Sequence, residues 1–454
     1  MTTIPQLVEV LQELLTSNAD QIARETGFVR RESKLGGAEL SQILVFGWLA
    51  NPEATLNELV QTAATLGVII TEQGLDNRFT ATAVECLRRI LETAVGMVVS
   101  ARPVVVPILQ RFNGVFIQDS TTITLPEVLA DLWRGCGNAS GTGQAALKVQ
   151  VQFDYSSGTL SQIVLQDGRA QDRNAPIQSA ALPAGALRLA DLGYFSLLVL
   201  ATLSEQAVYW LTRLQAGTAI YDPSGKRLDL LALLHPQDIA TLDQAILVGS
   251  EQRLPCRLLA VRVPQAVADK RRQQLHSEAQ HKGQTVSAQR LALADWTIFI
   301  TNTPCAKLSL HEALTLARCR WQIELLFKLW KSHGHIDTSR SDKPWRVLCE
   351  VYAKLLAMIV QHWLFLVSCW SYPDRSLFKA AQTVRGHALH LAAHLGNAVQ
   401  LAEVITIIQN CLAVGCRINK RRTSPHTYQL LAALDDDFDD FHSSMTDFDI
   451  SSNT

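Results

Sequence analysis

The sequence predicts an α/β protein with helical regions at both ends. Three observations carry that prediction. Residues 1 to about 110 space their apolar side chains at helical intervals and show no strand alternation; from 111 the texture changes to strands in β-β-β-α-β order; and after Ser309 long helical patterns return. The chain has 454 residues, 48% of them hydrophobic, and a net charge of −1, which excludes disorder of the whole chain and leaves room for roughly three domains.

The elements follow in order. Helical spacing is evident in Leu7–Leu15 and again in Ala83–Leu91. Between them, Thr55–Leu66, a turn at Gly67 and Thr71–Phe79 have the outline of a helix-turn-helix, which would put Gln73, Asn77 and Arg78 on a second helix facing base edges or phosphates. Paired helices around a glycine also occur in ordinary bundles. The strands are Gly114–Asp119, Leu147–Tyr155 and Thr159–Leu165, the last two joined as a hairpin by Ser156-Ser-Gly158. A helix around Ala175–Leu182 and a strand Ala186–Asp191 complete the β-β-β-α-β run, with acids ending its first and fourth strands. Residues 205 to 305 contain several more short strands, Ala207–Leu211, Arg257–Val263 and Trp296–Thr301. One long helix is expected from Ser309 to about Ser332, helices again from 345 to 434, and a disordered acidic tail over 435–454. There is no internal repeat and no glycine-rich phosphate loop.

Leu355–Tyr372 carries no charged residue for 18 positions, long enough to span a membrane, yet it contains Gln361, His362, Ser368 and Ser371 and reads better as a buried helix. The N-terminus has no basic stretch leading into an apolar one, so the expected location is cytoplasmic, with no membrane partner. Nine cysteines with no Cys-x-x-Cys pair argue against a disulfide scaffold or a zinc site.

The chemistry concentrates in Arg318–Lys331. At 100° per residue Arg320, Glu324, Lys328 and Lys331 fall on one stripe of an otherwise apolar helix. A glutamate facing a cleft between cations has this pattern, and so does a solvated edge of i,i+4 ion pairs. Asp119 and Asp191 each follow an apolar strand, where a carboxylate stands at the mouth of a sheet or simply caps a turn. Three carboxylates so placed could hold two divalent ions of the hard kind, Mg²⁺ or Mn²⁺.

These segments resemble the DDE transposases of bacterial insertion sequences, in the group with the motif Tyr-x2-Arg-x3-Glu-x6-Lys. Arg320, Glu324 and Lys331 match the motif, Lys328 matches a further family lysine, Gln118-Asp119-Ser120 resembles the first-aspartate motif and Ala190-Asp191-Leu-Gly193 the second. Trp296–Asn302 resembles the strand leading from the family's insertion to the glutamate helix, and Gly27–Arg31 and Asp76–Phe79 extend the likeness into the helical part. The resemblance covers roughly residues 25 to 365. It implies a ribonuclease H-like catalytic core at 111–345 interrupted by a β-rich insertion at about 205–305, a DNA-binding helical region at 1–110 and a helical C-terminal region at 346–434. Asp119, Asp191 and Glu324 would hold two Mg²⁺, with Mn²⁺ possible. Arg320, Lys328, Lys331 and Arg78 would bind DNA, and Trp296 would stack on a flipped base or be an ordinary core tryptophan. The partners implied are double-stranded DNA, as terminal inverted repeats and target, and a second copy in a synaptic homodimer. One position departs from the motif: Ala317 stands where the family has Tyr, a residue that helps grip DNA beside the cut. The alternative reading is therefore a catalytically impaired, transposase-derived DNA-binding protein.

The charge distribution agrees with a DNA partner. Seven of the 42 acids lie in the last 20 residues with no Lys or Arg, so the first 434 residues carry 41 basic against 35 acidic groups. The excess is local: eight basic against three acidic residues over 251–290, and eight against four over 307–346. Affinity resting on such charges should fall steeply with salt.

Overall fold

The structure is a computed structural model that describes residues 1–31, 34–102, 106–137, 145–235, 239–281, 283–372, 374–418 and 427–434. The acidic tail lies outside the described residues.

Along the chain, Thr3 caps α1 (Ile4–Glu13) by a reciprocal bond pair with Gln6, and a π-turn leads into α2 (Ala19–Glu25). Next come α3 (Gly37–Ala50), α4 (Leu56–Thr65), α5 (Glu72–Asp76), α6 (Ala81–Gly96) and the single turn α7 (Pro107–Gln110). The strands β1 (Val115–Leu125), β2 (Ala145–Asp154), β3 (Leu160–Asp167) and β4 (Leu187–Ala190) precede α8 (Leu197–Glu205). After β5 (Tyr209–Arg213), β6 (Ile220–Tyr221) and β7 (Arg227–Leu228) come α9 (Leu230–Leu234), β8 (Thr241–Val248) and β9 (Leu254–Arg262). Then α10 (Gln265–His281) and α11 (Ala288–Leu293) lead to β10 (Trp296–Thr301). The rest is helical: α12 (Leu310–Cys319), α13 (Trp321–Ser332), α14 (Pro344–Ser368), α15 (Leu377–His394), α16 (Ala398–Val414) and α17 (Thr427–Ala433).

These elements form two compact units, Met1–Val105 with Asp119–Ala170 and Ile323–Ile418, and Val106–Gln118 with Gln171–Gln322 and Asn419–Thr454. In the first unit α14 is the central helix, packed against α3, α6 and α16. Its most apolar 18-residue window is 94% buried within the fold, so the uncharged stretch is a core helix. The β2–β3 hairpin is antiparallel with a bulge at Gln152/Phe153. Its tip is held by α14: His362 Nε2 lies 2.7 Å from the Gly158 carbonyl, and a Cβ on Gly158, already at φ +74°, would stand 2.4 Å from Leu366 and 2.6 Å from Trp370. In the second unit the strand order is β1-β4-β5-β10-β9-β8-β6-β7, parallel for β1/β4 and β4/β5 and antiparallel beyond. Trp210, Leu258, Val248 and Ile300 pack the core of this sheet, and the Trp210 indole N–H donates to Ser204.

Four expectations are corrected. The helix expected around Ala175–Leu182 is a pair of 3₁₀ turns, Asp172–Asn174 and Pro176–Ser179. Pro176 and Pro183 bracket the segment and restrict the residues before them, and the Gln178 amide caps the Asp172 and Arg173 carbonyls instead of leaving them to a helical ladder. The long helix from Ser309 is two helices, with the ladder interrupted at Arg320. The second helix of the helix-turn-helix outline ends at Asp76, because Thr80 starts a new helix as its cap; Asn77 and Arg78 lie in the corner between. Asp119 does not end its strand: β1 continues through Thr121, Ile123 and Leu125, which alternate inward, and its Thr-Thr-Ile-Thr run is β-branched, as strands favour.

Candidate active site

Within the first unit, Asp119 lies on β1, where its Oδ1 accepts from the Ser120 amide at 2.8 Å. Glu324 stands in the first turn of α13, half-buried, while Ile323, Leu326, Phe327, Leu329 and Trp330 turn into the core. The helix is tied to the strand by Lys331, whose Nζ donates to the Thr122 carbonyl at 3.0 Å, three residues along β1 from Asp119. Lys328 is exposed. Arg78 is half-buried, its guanidinium 4.4 Å above the Phe28 ring and its Nη2 donating to the Leu35 carbonyl at 2.9 Å.

Within the second unit, β1 and β4 run parallel with Gln118 opposite Ala190 as the last registered pair, and Asp191 follows directly on β4. Asp119 is the residue that follows Gln118. Asp191 also opens the 3₁₀ turn Leu192–Tyr194, and Arg320 Nε stands 4.0 Å from its Oδ1. Trp296 begins β10, is 7% exposed, packs with Leu234 and Ala260, and has the Arg262 guanidinium 5.1 Å from its ring.

Sequence reasoning missed a buried polar group within the second unit. Arg188, 3% exposed on β4, donates from Nε to Gln118 Oε1 at 2.6 Å and from Nη2 to Gln178 Oε1 at 2.8 Å. Gln118 in turn donates to the Ile177 carbonyl at 3.0 Å. Burial pushes the guanidinium down to about 10. A single Arg in Leu187-Arg-Leu-Ala190 carries no signal of this in the sequence, where charge on a strand normally means exposure.

As donors, three carboxylates suit a hard dication. Among the described residues no three His, Cys, Asp or Glu side chains stand close enough together to hold an ion.

The transposase DDE domain family matches residues 110–360, more than half of the chain. The chain belongs to the DDE transposases. It is 26% identical, over 94% of its own length and 95% of the relative's, to the transposase for insertion sequence element IS231F of Bacillus thuringiensis subsp. israelensis. It is 24% identical, over 77% and 78%, to that for IS1151 of Clostridium perfringens. A third similarity, 28% over 48% of this chain and 61% of the relative, is to the putative transposase InsL for IS186A of Escherichia coli strain K12. This transposase therefore serves DNA transposition, cleaving DNA and transferring the cut strand, in a family that generally uses divalent metal ions.

Proposed function

We propose that Asp119, Asp191 and Glu324 are the catalytic carboxylates of a cut-and-paste transposase acting on the terminal repeats of an insertion sequence. The observation that carries the reading is the Lys331–Thr122 bond, which anchors the glutamate helix on the strand that bears Asp119. The core around them is ribonuclease H-like at 111–345, with a β-rich insertion at about 205–305. Residues 1–110 are a helical DNA-binding region and 346–434 a helical C-terminal region.

Two Mg²⁺, or Mn²⁺, on these carboxylates would require the three to come closer together than they stand here; when bound, such ions would supply activation of a water or 3′-hydroxyl and stabilisation of the leaving oxygen. The chain's own part is to place and neutralise. Arg320, beside Asp191, presents a planar fork suited to a phosphate. Lys328 offers an exposed point charge, and Lys331 holds α13 in register with β1 while lending its charge to the DNA backbone. The buried Arg188–Gln118–Gln178 group holds Gln118 of β1 against β4, which ends at Ala190 just before Asp191. Trp296, 7% exposed against Leu234 and Ala260, fits the core tryptophan of the two expectations, and Arg78 shapes the N-terminal DNA-binding region. The protein works in the cytoplasm, nucleoid-associated when bound to DNA, as a homodimer on paired ends and target.

Glu324→Gln tests the assignment: it should abolish metal-dependent cleavage of element-end DNA and leave binding intact. Retained cleavage would sink it. Ala317 favours a second reading, an impaired enzyme that still binds DNA. A donor plasmid with the terminal repeats decides between them, because an impaired copy gives a gel shift without excision and regains excision with Ala317→Tyr.

A further inference from the structure

The first unit holds a cleft of about 520 Å³ that the catalytic assignment does not use. One wall is the turn Gly27–Arg31 that follows α2, where Gly27 takes φ +72° to redirect the chain; the other is the corner from Asn77 to Thr82 between α5 and α6. Three of its nine lining residues are arginines and none is acidic.

The three arginines are not equivalent. Arg78 is engaged by the fold through Phe28 and the Leu35 carbonyl, and builds the wall. Arg30 and Arg31 are exposed, and among the described residues neither guanidinium is held by an ion pair or hydrogen bond. Opposite them, Thr80 caps α6 by accepting from the Ala83 amide and shares a 2.9 Å hydrogen bond with Thr82, so two hydroxyls line the second wall. The first turn of α6 contains no acid. A concave surface of guanidiniums and hydroxyls, with no carboxylate among the described lining residues, suits an anion with several oxygens, and the guanidinium fork matches phosphate in particular.

We propose that this cleft is a docking site for backbone phosphates of DNA, with Arg30 and Arg31 as the contacting residues. The inference rests on the reading of residues 1–110 as DNA-binding, and it moves the direct contact from Arg78 to the turn facing it. Phosphate contacts of this kind position the duplex and carry no sequence information.

The test uses the full chain and two labelled duplexes, one of DNA bordering the gene and one of the same composition shuffled, titrated by anisotropy over a range of salt. Arg30→Ala with Arg31→Ala should weaken both duplexes alike and flatten the slope of log affinity against log salt by about 0.9 for each arginine removed. The double lysine variant should keep most of that slope, and Thr82→Glu, which adds a negative charge to the cleft and removes no arginine, should weaken both duplexes. Unchanged affinity and slope in the double alanine variant, or a loss confined to the bordering duplex with the slope kept, would overturn the inference. If the unaltered chain binds neither duplex, the DNA-binding reading of the region fails first, and the inference with it.

Discussion

Two neighbouring helices of the first unit, α13 and α14, are both rich in apolar residues and both carry charge, and they treat that charge in opposite ways. In α14 the Glu350 and Lys354 side chains, 4% and 2% exposed, meet at 2.7 Å. Lys354 also donates to the His335 and Thr338 carbonyls, and Ser339 donates to Glu350, so every charge there is answered inside the fold. In α13 the charged stripe reaches the surface: Glu324 is half-buried, Lys328 exposed, and Lys331 spans to β1. A buried pair of this kind holds structure together, since removing one partner strands the other in low dielectric. A stripe open to water contributes little to stability and remains available to a polyanion.

That contrast can be broken most directly at Lys354. Lys354→Met should lower unfolding free energy by about 3–5 kcal/mol, and adding Glu350→Gln should restore much of it. Denaturant titration of the two variants checks this; a single variant costing less than about 1 kcal/mol would mean that the pair is not a stabilising element of α14.

The same helix should make stability depend on pH through His362. Burial, only partly offset by the bond to the Gly158 carbonyl, pushes this imidazole down to about 4. The unfolded chain takes up the proton near 6.5 while the folded chain resists until about 4, so stability is full above that window and is lost as pH falls through it, by about 3 kcal/mol at most. Denaturation midpoints at neutral and acidic pH should converge in His362→Asn; an unchanged acid loss would assign it to other groups.

In the second unit, Arg188→Met asks whether a buried cation bonded to two glutamines behaves like the α14 pair. It should cost about 2 kcal/mol by leaving the Gln118 and Gln178 carbonyl oxygens without their donor. Thermal unfolding of the purified variant gives the answer. The smallest effect is expected on α13: Lys328→Ala should change stability by less than about 0.5 kcal/mol while lowering strand cleavage. A large stability loss there would place Lys328 with the structural charges and remove it from the proposed DNA contacts.

Much of the local structure was legible in the residues. Helical spacing marked α1 and α6, period-2 alternation marked β2, the Ser156-Ser-Gly158 turn joined it to β3, and Trp296–Thr301 coincides with β10. The carboxylates and the cationic stripe also stood out, because charged residues in apolar runs are rare. What misled was local ambiguity. Polar Asp119-Ser-Thr-Thr122 looks like a strand end until its inward alternation is seen, and the segment between Pro176 and Pro183 has helical composition but too little room for a ladder.

Sequence alone determined the broad run of helical, strand and helical regions, the family motif with its departure at Ala317, and a body whose positive charge is masked by an acidic C-terminal stretch. All of these depend on spacing along one chain. Only the tertiary structure decided which charges are answered and which are left to a ligand: Glu350 with Lys354, Arg188 with two glutamines, Arg78 against Phe28, and Arg30 and Arg31 open on the cleft. The physical reason is that the energy of a charge depends on what surrounds it in space, and distant residues supply part of those surroundings, 43 positions away for Arg78 and Leu35 and 70 for Arg188 and Gln118.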